Sequence, residues 1–218
     1  MRQITYMGAA NEHHQAIRES VVRGSVVNAI DSSQFDERML LDAICHWHDP
    51  EAVGALLRKG VNPNIHGDDF TALEFAAALP DSAALELMLG HGAIPDFRSS
   101  RGSTALHAAC SVNAARLLLA AGTAIDAVDH DGMTPLHHAV LRGHGEVIAF
   151  LMERQANPHV ANARGDTPED LARDDAATCA PFLAWRALQD AEQLRTRAMP
   201  GNCRTHSPTF HQNRGRPC

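Results

Sequence analysis

Residues 129–161 read DHDGMTPLHHAVLRGHGEVIAFLMERQANPHVA, and this stretch decides the fold. Thr134 is a good N-cap, and Pro135 stands at the first helical position, where a missing N–H costs nothing. Leu136, Ala139 and Val140 recur with helical spacing and give one apolar face. Gly143 breaks that helix, and a second starts near Glu146 with Val147, Ile148, Phe150 and Leu151 as its apolar residues. Gln155 then stands where a left-handed residue would end the second helix, and a polar stretch with Pro158 follows. Helices this short are marginal alone in water, so the hairpin needs neighbours to cover its apolar side.

The sequence supplies those neighbours. Thr71, Thr104, Thr134 and Thr167 open TALEFAAA, TALHAACS, TPLHHAVL and TPEDLARD, at separations of 33, 30 and 33 residues. Before each lies a leucine-rich run: VGALLRKG, LELMLGHG, ARLLLAAG and VIAFLMERQ. A weaker copy begins at Met39, 32 residues before Thr71. Repetition at this period means stacked units that share one continuous core.

The Gly132, Thr134-Pro135-Leu136-His137 and Gly143-His144 motifs closely resemble the ankyrin repeat, and RGSTALHAAC is a second good match. The resemblance covers about five units over residues 36–190. It implies an all-α repeat solenoid, a stack of helix-turn-helix units with short β-hairpin connections and an L-shaped curve. Residues 1–35 are expected to close the N-terminal end as a degenerate unit of capping helices. Residues 191–218 are expected to form a basic, disordered tail. Three departures qualify the pattern. The third unit is three residues short around Cys110–Ala114, which predicts a stubby helix pair and a notch there. Gln155 replaces a glycine. Glu169 and Asp170 replace the usual leucine and histidine, which marks a C-terminal cap, its outer helix packed inward by Phe182, Leu183, Trp185 and Leu188.

Composition sets outer bounds. The chain has 218 residues, 44% hydrophobic and 5% aromatic, enough for a sizeable core packed through small side chains. Nothing approaches the ~20 apolar residues of a membrane helix, and residues 1–20 lack a secretory pattern. Net charge is −7; residues 191–218 carry five arginines and one glutamate, +4, leaving −11 on residues 1–190. That acidic body argues against nucleic acid as its partner, since phosphate binding needs a basic footprint. Five widely spaced cysteines give neither a disulfide framework nor a zinc pattern and fit a reducing, cytoplasmic setting. Secretion by a non-classical route stays open.

Groups able to do chemistry are present but unassembled. Of the 14 histidines, His107 and His137 hold a motif position where the family ties loop to helix start, and His144 is the turn histidine. His46 with His48, and His137 with His138, lack the spacing of a zinc site. Cys45 and Cys110 share one repeat position and read as small buried hydrophobes without a partner base. There is no phosphate-binding glycine loop and no serine elbow. The expectation is a non-catalytic protein with no metal and no cofactor.

The resemblance places partner binding on the concave side, at the residue before each threonine, at the ends of the inner helices and at the hairpin tips. Carried over, that gives Trp47, Phe70, Leu79, Ser103, His130, Asp131, Met133, Leu141, Arg142, Arg164 and Asp166. Exposed apolar and aromatic residues beside arginine have the composition of binding hot spots. For Trp47 and Phe70 the alternative is that they merely seal imperfect units. The expected function is an adaptor, inhibitor or scaffold that binds a partner protein as a monomer. The alternative is a regulatory or secreted effector whose basic tail acts separately.

Overall fold

A computed structural model describes residues 32–67, 69–172 and 176–198. The expectations for residues 1–31 and 199–218 lie outside these. Among the described residues there are ten helices and no strand. They are α1 (Ser32–Cys45), α2 (Pro50–Lys59), α3 (Ala72–Ala77), α4 (Ala83–Gly90), α5 (Ala105–Ala108), α6 (Val112–Ala120), α7 (Pro135–Leu141), α8 (Gly145–Glu153), α9 (Pro168–Leu171) and α10 (Ala176–Ala198). The chain divides after Leu183, and all nine helices from α1 to α9 belong to the first unit, Met1–Leu183.

In that unit the helices form two layers. Inner helices α1, α3, α5, α7 and α9 pack on one another in sequence, while α2 packs on α4 and α6 on α8 in the outer layer. The inner layer is close because it is built from small residues: Ala72, Ala76, Ala77 and Ala105 are fully buried. Leu73, Leu106 and Leu136 of the inner helices and Leu85, Met88, Leu118, Ile148 and Leu151 of the outer ones are all buried. No unit closes a core by itself, as the repeat spacing implied.

Local signals act as read. Thr134 caps α7 with Pro135 at its start. Gln155 keeps the left-handed geometry of a glycine, at φ 65°. Four expectations need correction. The connections carry no β-strands among the described residues, only an isolated bridge between His66 and Thr71. The last three fingers are tight glycine turns, each closed by two backbone bonds, as where Asn162 N–H donates to the Asp166 carbonyl and Gly165 N–H to the Asn162 carbonyl, both at 2.9 Å. In the third unit only the inner helix is stubby; α5 has four residues, but α6 has nine, as many as α8. Finally, Phe182 is buried and Trp185 half-buried, whereas Leu183 and Leu188 are 61% and 69% exposed, so those two leucines are not packed inward. The helix α10 also runs on through residues 191–198, the start of the stretch expected to lack structure.

Candidate functional site

The face carrying the fingers and inner helices is organised by one side chain per unit, the third residue of each inner helix. In the third unit His107 accepts the Thr104 N–H on Nδ1 at 3.0 Å, and its Nε2 donates to the Met133 carbonyl of the next unit at 3.1 Å. His137 repeats this with Thr134 at 3.0 Å and with the Asp166 carbonyl at 3.1 Å. Both rings are buried and neutral, with the proton on Nε2. Burial drives the His107 pKa down to about 4, helped by the neighbouring His138, and burial likewise lowers that of His137.

The second unit solves the same joint with a carboxylate. Glu74 accepts the Thr71 N–H at 2.7 Å, and its other oxygen accepts the Ser103 hydroxyl. A carboxylate cannot donate to a carbonyl as imidazole does, so residue 103 must itself supply the donor. Ser103 is therefore buried and also bonded to Ser99 Oγ at 2.7 Å. Its assignment to a partner-binding surface is corrected: the hydroxyl is occupied within the stack.

The fingers are fixed by short polar side chains at their bases. Asp129 Oδ1 accepts the N–H groups of Asp131 and Met133 at 3.0 and 2.9 Å, and Asn162 Oδ1 those of Arg164 and Asp166 at 2.9 and 3.1 Å. His138 Nε2 meets the second Asp129 oxygen at 2.8 Å. Burial works to raise the Asp129 pKa, but the bonds from His138 and from the backbone outweigh it and hold the carboxyl below its usual range. Fingertips are then linked in series: His130 N–H donates to the Arg101 carbonyl at 3.0 Å, and Ala163 N–H to the Asp131 carbonyl at 2.8 Å.

This scaffold brings five of the candidate residues together. Asp131, Met133, Leu141, Arg164 and Asp166 line a cleft of about 180 Å³ with Asn162, Ala163 and Leu171. The lining mixes apolar Met133, Leu141, Ala163 and Leu171 with charged Asp131, Arg164 and Asp166. Leu141 is 58% exposed. Sequence reasoning missed Leu171, which sits in the short polar cap helix α9, and Asn162, whose signal is that it stands, like Asp129, four residues before the residue that precedes a capping threonine.

The other candidates lie elsewhere. Arg142 is exposed, and its guanidinium donates to the His107 carbonyl at 2.9 Å. His130 is exposed at a fingertip, its ring against Gly102. Phe70 is 36% exposed, edge-on to Phe75 at 5.6 Å, with the Arg101 guanidinium 5.3 Å above it. Trp47 and Leu79 are half-buried; Leu79 lines a separate cleft of about 160 Å³ with His48, Pro50, Pro80, Asp81 and Ala84.

Reactive groups are not gathered here. Cys45, Cys110 and Cys179 are free thiols and half-buried, rather than wholly buried as expected for the first two. Burial, with Asp42 adding to it, pushes the Cys45 pKa up to about 11, and burial also raises that of Cys110. Cys110 Sγ donates to the Leu79 carbonyl at 3.2 Å. Both thiols are thus poor nucleophiles. Among the described residues, no group of three His, Cys, Asp or Glu side chains is placed to hold a metal ion, and no helix is long and apolar enough to cross a membrane.

Comparison with known proteins agrees with this architecture. The family described as ankyrin repeats (3 copies) matches residues 73–162. Ankyrin repeat and SOCS box protein 16 of Mus musculus is 36% identical over 136 residues, 56% of this chain and 30% of that protein. SH3 and multiple ankyrin repeat domains protein 2 of Homo sapiens is 36% identical over 99 residues, 43% of this chain and 5% of that protein. A tyrosine-protein kinase of Hydra vulgaris is 30% identical over 141 residues, 61% of this chain and 19% of that protein. The chain thus spans less than a third of the length of these relatives. It is an ankyrin-repeat protein. Ankyrin repeats generally mediate protein–protein interaction and are typically non-enzymatic.

Proposed function

We propose that this protein is a non-catalytic module that holds a partner protein on the concave face of its stack, acting as an adaptor, inhibitor or scaffold. The binding centre is the cleft between the last two fingers, with Met133 and Leu141 as apolar anchors and Asp131, Arg164 and Asp166 as the polar rim. The observation that carries this reading is that one cleft gathers five residues picked out by their places in the unit. Apolar side chains set among charged ones also match the make-up of an interface hot spot. Phe70 with Arg101 forms a second contact area at the fingertips. The free cysteines favour a reducing compartment such as the cytoplasm, and the protein works as a monomer.

The test is capture of binding partners with wild type, a Met133→Ala/Leu141→Ala variant and a Phe70→Ala variant, all shown to unfold at similar temperatures. The first variant loses the captured partner and the second weakens it. Identical catches for wild type and Met133→Ala/Leu141→Ala would move the site off this face.

A further inference from the structure

The fingertips treat their charges unequally. Arg101, Asp131 and Arg164 hold the same place in the last three fingers, at the tip and upstream of a capping threonine. Arg101 is satisfied within the stack, where its guanidinium donates to the carboxylate of Asp69 in the preceding finger at 2.9 Å. Nothing equivalent forms between the last two fingers. Among the described residues, the carboxylates of Asp131 and Asp166 and the guanidinium of Arg164 enter no ion pair and no side-chain hydrogen bond.

The backbone beneath those two carboxylates is fully used. Asp131 N–H donates to Asp129 Oδ1 at 3.0 Å, and its carbonyl accepts Ala163 N–H at 2.8 Å. Asp166 N–H donates to Asn162 Oδ1 at 3.1 Å, while its carbonyl accepts Asn162 N–H at 2.9 Å and His137 Nε2 at 3.1 Å. Both residues are anchored, and their acceptor oxygens stay unspent. They line one cleft of about 180 Å³ with Met133, Leu141 and Leu171. Small-ligand sites run to roughly 300–1,000 Å³, so a cleft this size suits one side chain of a partner. Two carboxylates against the guanidinium of Arg164 leave the lining one negative charge in excess. A long cationic side chain matches both properties, since its methylene stem covers apolar surface while its head stays with charge and water. Guanidinium suits this head better than ammonium, being more weakly hydrated and having five donors to share between carboxylates on two fingers.

We propose that the cleft between the last two fingers takes one arginine of the partner protein, its stem against Met133, Leu141 and Leu171 and its guanidinium on the carboxylates of Asp131 and Asp166. This rests on the concave-face reading above and adds to it the identity of the side chain that the cleft receives. Arg164 contributes a like charge to the same lining and so limits the affinity.

The probe is the capped peptide acetyl-Ala-Arg-Ala-amide, titrated to about 10 mM into the full 15N-labelled chain. Citrulline in place of its arginine keeps the shape without the charge, and guanidinium chloride gives the charge without the stem. The arginine peptide shifts the amides of Asp131–Met133 and Ala163–Asp166. Binding weakens at least about tenfold for the citrulline peptide, and by as much for Asp131→Asn/Asp166→Asn, which keeps the backbone bonds and melts at the wild-type temperature. A lysine peptide binds more weakly than the arginine one, and Arg164→Ala binds the arginine peptide more tightly. The proposal is overturned by no shift at these amides, by equal shifts elsewhere, or by guanidinium chloride reproducing the pattern. Equal binding of the citrulline or lysine peptide, undiminished binding by Asp131→Asn/Asp166→Asn, or weaker binding by Arg164→Ala overturns it as well. Partner capture separates the two readings. If Met133→Ala/Leu141→Ala loses the partner while Asp131→Asn/Asp166→Asn keeps it, this inference fails alone; if both variants keep it, the concave face fails too.

Discussion

The joint between the second and third units and the joint between the third and fourth occupy the same place in the repeat but run in opposite hydrogen-bond polarity. At the second joint Glu74 accepts from the side chain of Ser103; at the third His107 donates to the backbone of Met133. An imidazole satisfied by a carbonyl leaves the next unit's side chain free to face outward, and Met133 lines the cleft. A carboxylate needs a hydroxyl or N–H, so it turns the next side chain inward and removes that position from the surface. Which residues reach a partner is therefore decided by the chemistry of the joints beneath them.

The largest expected effect comes from removing the imidazole at the third joint. His107→Ala leaves the Thr104 N–H and the Met133 carbonyl without their partner and opens a cavity, at a cost of about 3 kcal/mol. Urea denaturation gives the value, and a loss under about 1 kcal/mol would mean that the joint is not structural. Acid should attack the same joint. The unfolded chain protonates this histidine near its ordinary pKa of 6.5, whereas the folded chain resists until about 4. Stability is complete above 6.5 and is lost as pH falls toward 4, by about 1.36 kcal/mol per unit and on the order of 3 kcal/mol in all. Urea midpoints between pH 7.5 and 4 should show this slope, and His107→Ala should flatten it.

The carboxylate joint gives the converse test. Ser103→Ala strands one oxygen of buried Glu74 and costs about 2 kcal/mol, yet partner capture per folded molecule stays unchanged because the side chain faces inward. Selective loss of the partner without loss of stability would return Ser103 to the binding surface. The smallest change is a gain: Gln155→Gly relieves a left-handed φ of 65° and stabilises by up to ~1 kcal/mol, read as a small rise in melting temperature.

The amino-acid sequence alone determined the number, phase and internal design of the units. Threonine caps, Pro135 at a helix start, Gly143 at a break and apolar residues at helical spacing are short-range signals, and each acts within a few residues of its own position. The resemblance to the ankyrin repeat made His107 and His137 legible as structural. Only the tertiary structure decided which outward-pointing positions are surface. Ser103 and Met133 hold the same place before a threonine and read alike, but Ser103 is buried because Glu74, 29 residues earlier, needs its proton. Likewise Leu171 and Asn162 join the cleft because the finger ladder sets one unit against the next, and Arg142 reaches the His107 carbonyl because α5 stops early 35 residues before it. Such pairings join groups a whole unit apart, so no local pattern in the chain can announce them.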